Sequence, residues 1–216
     1  MTLDQAAVEL ATAYDRASQI RNDLAKKIET NHTTFQPDSA LAQDKTDTDK
    51  ANAQITALTT KAQADFDASI SGEKARLNLD YGADMTADIA AELDQIEKSG
   101  ITRDELTMYL DKYKDNKLAL RRLSAMAKAI GYAVTGATYD SLAYQLGTIA
   151  HDGQQIIDAL PTAQGGKPGM VAKIGLNLIT DHILRYNNLK AAPFTVTSSK
   201  TAANVFNSTY KPAGEA

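Results

Sequence analysis

The sequence predicts an all-α fold, in which a long N-terminal antiparallel helical hairpin is followed by a bundle of shorter helices and an extended C-terminal tail. Composition is the first indication. Of the 216 residues, 36 are Ala, whereas only 12 are Gly and 5 are Pro. Ala is the strongest helix former, and Gly and Pro are the main helix breakers. The second indication is a seven-residue apolar repeat in two segments near the N-terminus, which is typical of paired helices.

Two apolar seams predict the hairpin. The first seam, over 3–28, includes Leu3, Ala7, Leu10, Tyr14, Ala17, Leu24 and Ile28. After a break that contains Asn31 and Pro37, the second seam consists of Ala51, Ile55, Leu58, Ala62, Phe66 and Ile70. A short connection favours antiparallel neighbours. We therefore expect four seam residues to be buried together, namely Leu10, Leu24, Ile55 and Leu58.

The ends and the partner of this hairpin also follow from the pattern. Ser71-Gly72 is expected to end the second helix, and the polar stretch at 44–54 is expected to make its start solvent-exposed. Because the seams are rich in Ala and poor in Leu, the pair buries little apolar surface alone. We expect it to pack against the C-terminal part of the chain or against another subunit.

Further helices are predicted at 84–98, 103–114, 117–130, 139–160 and 170–189. Gly100 is expected to cap the first of these, and Thr102 with Glu105 forms a capping box that starts the next. Asp115-Asn116 is expected to form the turn and the cap before the helix at 117–130. The helix at 170–189 is apolar on more than one face, which predicts a central core helix. The domain prediction is a hairpin at 1–72, a bundle at 73–190 and an extended tail at 191–216.

Charge is unevenly distributed along the chain. Residues 1–100 carry 10 Lys or Arg and 18 Asp or Glu, whereas residues 101–216 carry 13 and 9. An acidic first half disfavours nucleic-acid binding through the hairpin. The excess of positive charge at 101–131 leaves a small basic contact surface possible, and its candidate residues are Lys117, Arg121, Arg122 and Lys128.

The sequence predicts no catalytic residues, no metal site and no cofactor. There is no Cys, and the three His have no helical spacing of three or four residues. The acidic run of Asp44, Asp47 and Asp49 fails the pattern of a calcium loop, and it is interpreted as a solvated helix face. The Gly-rich segment at 164–169 has Pro after its Lys and no preceding strand, so it is interpreted as a loop and not as a phosphate-binding loop.

The tail after Pro193 is predicted to be a docking arm for a partner. Its apolar residues are separated by Thr, Ser, Asn and Ala at intervals that suit an extended chain, and they are Phe194, Val196, Val205, Phe206 and Tyr210. Such a segment buries too little apolar surface alone to offset its ordering entropy. The alternative is that the tail folds back on the helices of its own chain.

A second alternative concerns the two short helices predicted at 103–114 and 117–130. Their length and short connection are compatible with a helix-turn-helix, in which the second helix presents Arg121, Arg122 and Lys128 to DNA. The negative net charge of the chain and the incomplete stripe of cations disfavour this reading.

One segment carries a family resemblance. Residues 101–131 contain a Tyr-Lys-Asp-Asn turn at 113–116, followed by a Leu-Ala-Leu-Arg-Arg-Leu run at 118–123. This segment resembles small helical structural proteins of tailed bacteriophages. The resemblance implies a capsid-associated role in scaffolding, lining or decorating, and it transfers no catalytic or binding residues.

We therefore predict a non-enzymatic structural or assembly protein, with a helix-turn-helix regulator as the alternative. Its expected partners are other copies of itself or a phage structural protein such as the major capsid protein. The N-terminus lacks the basic start and apolar run of a signal peptide, and no segment is apolar over the ~18 residues of a membrane-spanning helix. The expected location is the virion or the cytoplasm of the bacterial host, without secretion or membrane insertion.

Overall fold

The computed structural model describes residues 1–82, 85–163, 170–192 and 194–198. The helices are α1 (Leu3–Thr34), α2 (Pro37–Gly82), α3 (Ala87–Ser99), α4 (Arg103–Lys112), α5 (Lys117–Ala129), α6 (Tyr139–Ala159) and α7 (Met170–Lys190). Two short strands, β1 (Tyr132–Thr135) and β2 (Thr195–Ser198), pair antiparallel, and a 3-10 turn at Leu160–Thr162 follows α6. The predicted all-α class with long N-terminal helices is confirmed.

The chain divides into two compact units that are each discontinuous in sequence. The first unit contains 1–73 and 145–185, and the second contains 74–144 and 186–216. The prediction divided the chain into consecutive segments at 72 and 190, whereas the structure adds part of α6 and α7 to the hairpin. The physical reason is the one anticipated from composition, since a seam rich in Ala needs side chains from other helices to complete its core.

In the first unit, α1 and α2 form the predicted antiparallel hairpin. The side chains buried along its seam are Leu3, Ala6, Leu10, Ala13, Tyr14 and Ala17 on α1, and Ala51, Ile55, Ala62, Phe66 and Ile70 on α2. Leu10 and Ile55 are buried as predicted, but Leu24 and Leu58 are only half-buried. Leu24 lies beyond Arg21, whose guanidinium donates to the carbonyl of Pro161 at the point where the chain leaves α6.

Helix α2 does not end at Ser71-Gly72, so this part of the prediction is wrong. It continues for ten more residues to Gly82. A Gly inside a helix costs about 1 kcal/mol relative to Ala, and the buried side chains of Leu77 and Tyr81 beyond it outweigh that cost. The Tyr81 hydroxyl donates to the carbonyl of Ala137 within the second unit.

Helix α6 packs on the hairpin through a glycine. A Cβ on Gly153 would lie 2.1 Å from the ring of the buried Phe66, so the ring rests directly on the α6 backbone. Next to it, the amides of Gln63 and Gln154 exchange hydrogen bonds of 2.9 Å. Gly153 is thus a packing requirement and not only a weak point of the helix.

Helix α7 was predicted to be a central core helix, and over 175–190 this is wrong. Ile179 and Ile183 are buried, whereas Leu178 is 40% exposed and Leu184 is 58% exposed. The helix therefore buries one face, as an outer helix of a bundle does. The exposed Leu178 and Leu184 lie on faces of α7 that the described residues of the unit leave uncovered.

In the second unit, α3, α4 and α5 pack around a core of Leu93, Leu106, Leu120 and Leu123. The predicted capping box is confirmed, since Thr102 accepts from the amide of Glu105, and the Glu105 carboxylate accepts from the amide of Thr102 at 2.9 Å. Gly100 caps α3 with a φ of 80°, a left-handed value that favours Gly. Asn116 caps α5 as expected.

The sequence pattern gave no sign of the strands. β1 and β2 pair with Tyr132 opposite Ser198 and Thr135 opposite Thr195. Four residues are too few for an alternating pattern to stand out from a Thr-rich background. The ribbon attaches the start of the predicted tail to α4 and α5.

Candidate functional site

Two of the five predicted docking residues, Val196 and Phe194, pack within the second unit. Val196 is 8% exposed and lies in the cluster around Leu120, and Phe194 packs against the same cluster. These two residues are therefore not a docking surface for a partner, and here the alternative of a tail that folds on its own helices holds. The other three predicted docking residues, Val205, Phe206 and Tyr210, lie outside the described residues.

The predicted basic surface on α5 is largely engaged within its own unit. Nη2 of Arg122 lies 2.6 Å from Asp94 and 2.8 Å from Glu97, and these hydrogen bonds raise the pKa of the guanidinium. Lys117 lies 5.7 Å from the ring centre of Tyr81. Such contacts neutralise or shield charge that a DNA phosphate would otherwise attract.

The remaining two cations of this set differ from each other. Arg121 stacks 4.6 Å from the ring centre of Tyr139, whereas Lys128 is exposed on the last turn of α5. The connection between α4 and α5 has the four residues that a helix-turn-helix would have. Its second helix nevertheless directs most of its cations toward tyrosines and carboxylates of the same unit.

His182 and His151 each contact one polar side chain. Nδ1 of His182 lies 2.7 Å from Asp152 on α6, and not against its sequence neighbour Asp181. Nε2 of His151 lies 3.0 Å from the amide of Gln155. Among the described residues, no group of three or more His, Asp or Glu is placed to hold a metal ion.

A polar cluster joins the C-terminal end of α1 to the N-terminal part of α2. Nδ2 of Asn31 donates to Asp44 at 2.9 Å and to Asp47 at 3.2 Å, and Nε2 of Gln43 donates to Asp47 at 3.2 Å. His32 lies 2.7 Å from the other oxygen of Asp44. We call these five residues the polar clamp.

Two residues of the clamp are buried where exposure was expected. Asn31 and Asp47 are 6% and 8% exposed, so the interpretation of the acidic run as a solvated helix face is wrong for Asp47. Hydrogen bonds from Gln43 and Asn31 lower the pKa of Asp47 below its ordinary value of 3.8. The carboxylates of Asp44 and Asp47 thus both accept hydrogen bonds from side chains of the same chain.

The sequence signal for this cluster was present but ambiguous. Because α1 continues to Thr34, the connection to α2 is two residues long, and Asn31 is a helical residue instead of the start of a loop. Asn31 and Asp47 are sixteen residues apart, so their contact can be predicted only when the hairpin register is known. Polar residues near a turn are ordinarily interpreted as exposed.

Beyond the clamp, the tip of the hairpin exposes two large apolar side chains. Phe35, which caps α1, is 47% exposed, and Leu41 on the second turn of α2 is 61% exposed. Both side chains lie where α1 connects to α2, at the end of the hairpin.

A groove lies between α1 and α2 on the other side of the clamp. Its lining combines the apolar side chains of Ile20, Leu24 and Ala51 with the lysines Lys26, Lys27 and Lys50 and the polar residues Asp23, Asp47 and Gln54. Lys27 lies 4.0 Å from Asp47, which is otherwise occupied by the clamp. We call residues 20–54, which contain the groove, the clamp and the tip, the distal hairpin.

Comparisons with known proteins identify no similar protein. No family model matches the chain, and neither a curated protein nor a solved structure matches it. Within the described ranges, no helix is both long enough and apolar enough to cross a bilayer. The sequence-based resemblance of residues 101–131 to phage structural proteins therefore stays a prediction.

Proposed function

We propose that this protein is a non-enzymatic structural or assembly protein that acts through protein–protein contacts, including contacts between its own copies. The observation that carries the proposal is the distal hairpin, which holds Phe35 and Leu41 at the end of a two-helix projection. Burial of such side chains against a partner removes apolar surface from water. The hydrogen bonds of the polar clamp join α1 and α2 next to them in sequence.

The bonding of the titratable side chains supports the same proposal. The carboxylates of Asp44 and Asp47 accept hydrogen bonds from the clamp, and Asp152 pairs with His182. A general base or nucleophile works by being poised toward a substrate. These groups instead join one helix to another, which is a stabilising role.

The phage-associated part of the proposal rests on residues 101–131. These residues supply α4 and α5, whose Leu106, Leu120 and Leu123 are buried in the core of the second unit. In a capsid-associated protein of this kind, the second unit would be a compact scaffold and the hairpin the contact element. The partners would be further copies and a phage structural protein such as the major capsid protein, in the virion or in the cytoplasm of the host.

The alternative of a nucleic-acid-binding regulator keeps one favourable observation, the four-residue connection between α4 and α5. The ion pairs of Arg122 with Asp94 and Glu97 disfavour it, because a phosphate would have to displace two carboxylates. If Lys128 were the main phosphate contact, the affinity for DNA would be low and would depend only weakly on salt concentration.

Sedimentation velocity of the full chain over a wide concentration range, together with anisotropy of labelled double-stranded DNA, tests the proposal. We expect reversible self-association and no tight DNA binding at physiological salt. A chain that stays monomeric at every concentration and binds DNA with a steep salt dependence would overturn the proposal in favour of the regulator.

A further inference from the structure

We infer that two copies of this chain associate through their distal hairpins in a two-fold antiparallel arrangement, in which the tip of each copy lies in the groove of the other. This inference rests on the proposed function and names the surface and the partner. Four observations support it: the spacing of groove and tip, their apolar character, their charge, and the way α6 covers the proximal part of the hairpin, which consists of residues 3–19 and 55–73.

The spacing of groove and tip suits a two-fold axis. Leu24 in the groove and Phe35, the C-cap of α1 at the tip, are eleven residues apart, which is about three helical turns and about 16 Å. Three turns return a side chain to nearly the same face of a helix. When two hairpins pack antiparallel about an axis midway between these residues, each Phe35 lies level with the Leu24 of the other copy. Such an interface is self-complementary and closed.

The surfaces that would meet both carry apolar side chains. The apolar lining of the groove, Ile20, Leu24 and Ala51, is only partly covered, because Ile20 and Leu24 are half-buried in the single chain. Phe35 and Leu41 are the exposed large apolar side chains at the tip. Burial of the two sets against each other removes both from water.

The surfaces are also complementary in charge. The groove is lined by three lysines, Lys26, Lys27 and Lys50, and by two aspartates, Asp23 and Asp47, so its lining has an excess of one positive charge. Residues 35–44 at the tip contain Asp38 and Asp44 and neither Lys nor Arg. Asp38 lies in the first turn of α2, between the two exposed apolar residues in sequence. Opposite charges around an apolar contact fix its orientation and speed the encounter of the two copies.

Within the described residues, α6 covers the proximal part of the hairpin, where it packs on α2 through Phe66 and Gly153. The turn after α6 reaches Arg21, at the start of the distal hairpin, through Pro161. The groove begins next to Arg21, where α6 ends. Two helices from a second copy would continue the same bundle beyond that point.

The size of the contact predicts a reversible dimer. Two helices side by side are about 20 Å wide, and the overlap of about sixteen residues is about 24 Å long. A face of this size buries about 1,000 Å² over both copies, which is at the lower limit for a specific interface. We therefore expect the dimer to dissociate on dilution.

Replacement of the tip residues tests the inference in the full chain. The double variant Phe35→Ser with Leu41→Ser should weaken the dimer by more than about tenfold, since each side chain loses its burial in the groove. The matched control is Val8→Ser with Leu184→Ser, which replaces two side chains of the same unit that are 64% and 58% exposed. This control should dimerise as the wild type does, and both variants should keep the circular-dichroism spectrum and melting temperature of the wild type.

Directed crosslinking tests the arrangement itself, because the natural chain contains no Cys. Leu24→Cys and Phe35→Cys proteins, prepared separately and mixed under oxidising conditions, should form a disulfide-linked heterodimer. Neither protein alone should crosslink, since in the proposed arrangement its two thiols lie about 16 Å apart, far beyond disulfide reach.

The outcomes separate this inference from the proposed function. If wild type associates, but the tip variant associates equally well or the mixture gives no heterodisulfide, the inference is wrong and the proposed function stands on another surface. If wild type does not associate at any concentration, the self-association in the proposed function is wrong, and the inference fails with it.

Discussion

The two halves of the hairpin are built from the same pair of helices but are held together differently. In the proximal hairpin, residues 3–19 with 55–73, the seam consists of apolar side chains such as Leu10, Ile55 and Phe66, all at most 3% exposed. In the distal hairpin, the buried side chains are Asn31, Ala40, Asp47 and Ala51. Apolar packing supplies most of the folding free energy in the first case, whereas hydrogen bonds define the alignment in the second.

This difference shows how a long hairpin divides two tasks. Apolar seams tolerate a shift of one heptad, because each repeat offers a similar surface. A buried Asn that donates to two carboxylates at fixed positions is satisfied in one register only. Buried polar groups of this kind are best known for fixing register at a cost in stability. The distal half therefore gives the hairpin its alignment, and the proximal half gives it its stability.

The largest expected effect is in the proximal half. Phe66→Ala should lower the free energy of unfolding by about 3–5 kcal/mol, since it removes a buried ring and leaves a cavity beneath Gly153. Urea denaturation followed by circular dichroism measures this. A loss below about 1 kcal/mol would contradict the assignment of the main stability to the proximal seam.

A matched pair of leucines compares the halves directly. Leu10→Ala should cost about 2–5 kcal/mol because Leu10 is 1% exposed. Leu24→Ala should cost about half as much, since the half-buried Leu24 has less apolar surface to lose. Equal losses in the same denaturation experiment would show that the two halves are packed alike.

A matched pair of glycines sharpens the account of the proximal half. Gly153→Ala should destabilise by about 1–3 kcal/mol, because the new methyl group overlaps the Phe66 ring. Gly147→Ala in the same helix is the control, since a Cβ there meets nothing within 4 Å. This control should stabilise by about 0.5–1 kcal/mol through lower entropy of the unfolded chain. If both substitutions stabilise, the close contact does not constrain the helix.

The smallest expected effect concerns pH and the distal half. The pKa of Asp47 is lower in the folded chain than its ordinary 3.8, so its contribution to stability is full above pH 3.8 and is lost as the pH falls through the lowered value. Asp47→Asn should melt at a lower temperature than wild type at pH 7, and the difference should shrink on acidification. A difference that is independent of pH would exclude the ionised carboxylate as its source.

Hydrogen exchange at pH 7 provides the regional readout for the same variant. Asp47→Asn should speed amide exchange over 22–54 while exchange over 3–18 stays as in wild type. Faster exchange over both ranges would contradict the separation of the two halves.

Local features of this fold were predictable from the sequence, and features that join distant residues were not. The caps at Thr102, Asn116 and Gly100 depend on contacts within three residues, and all three were predicted. Gly72 was interpreted as a helix end because its local cost was visible, whereas the packing of Leu77 beyond it was not.

The candidate site shows the same limit. Phe35 and Asp47 are exposed and buried, respectively, because of the hairpin register, which no local pattern reveals. The cations of α5 were predicted as a small basic contact surface, but Asp94 and Glu97, which pair with Arg122, belong to another helix. The charge of a residue is known from the sequence, while its partner depends on tertiary packing.

The pairing of β1 with β2 has a consequence for the order in which the chain folds during synthesis. Thr135 and Thr195 are sixty residues apart, and the intervening 145–185 belong to the other unit. While the ribosome is still adding those residues, α3, α4 and α5 can already associate, but the place of Val196 in their core is empty. The second unit starts to fold before the last segment of the first unit has been made, and it is completed only after that segment has emerged.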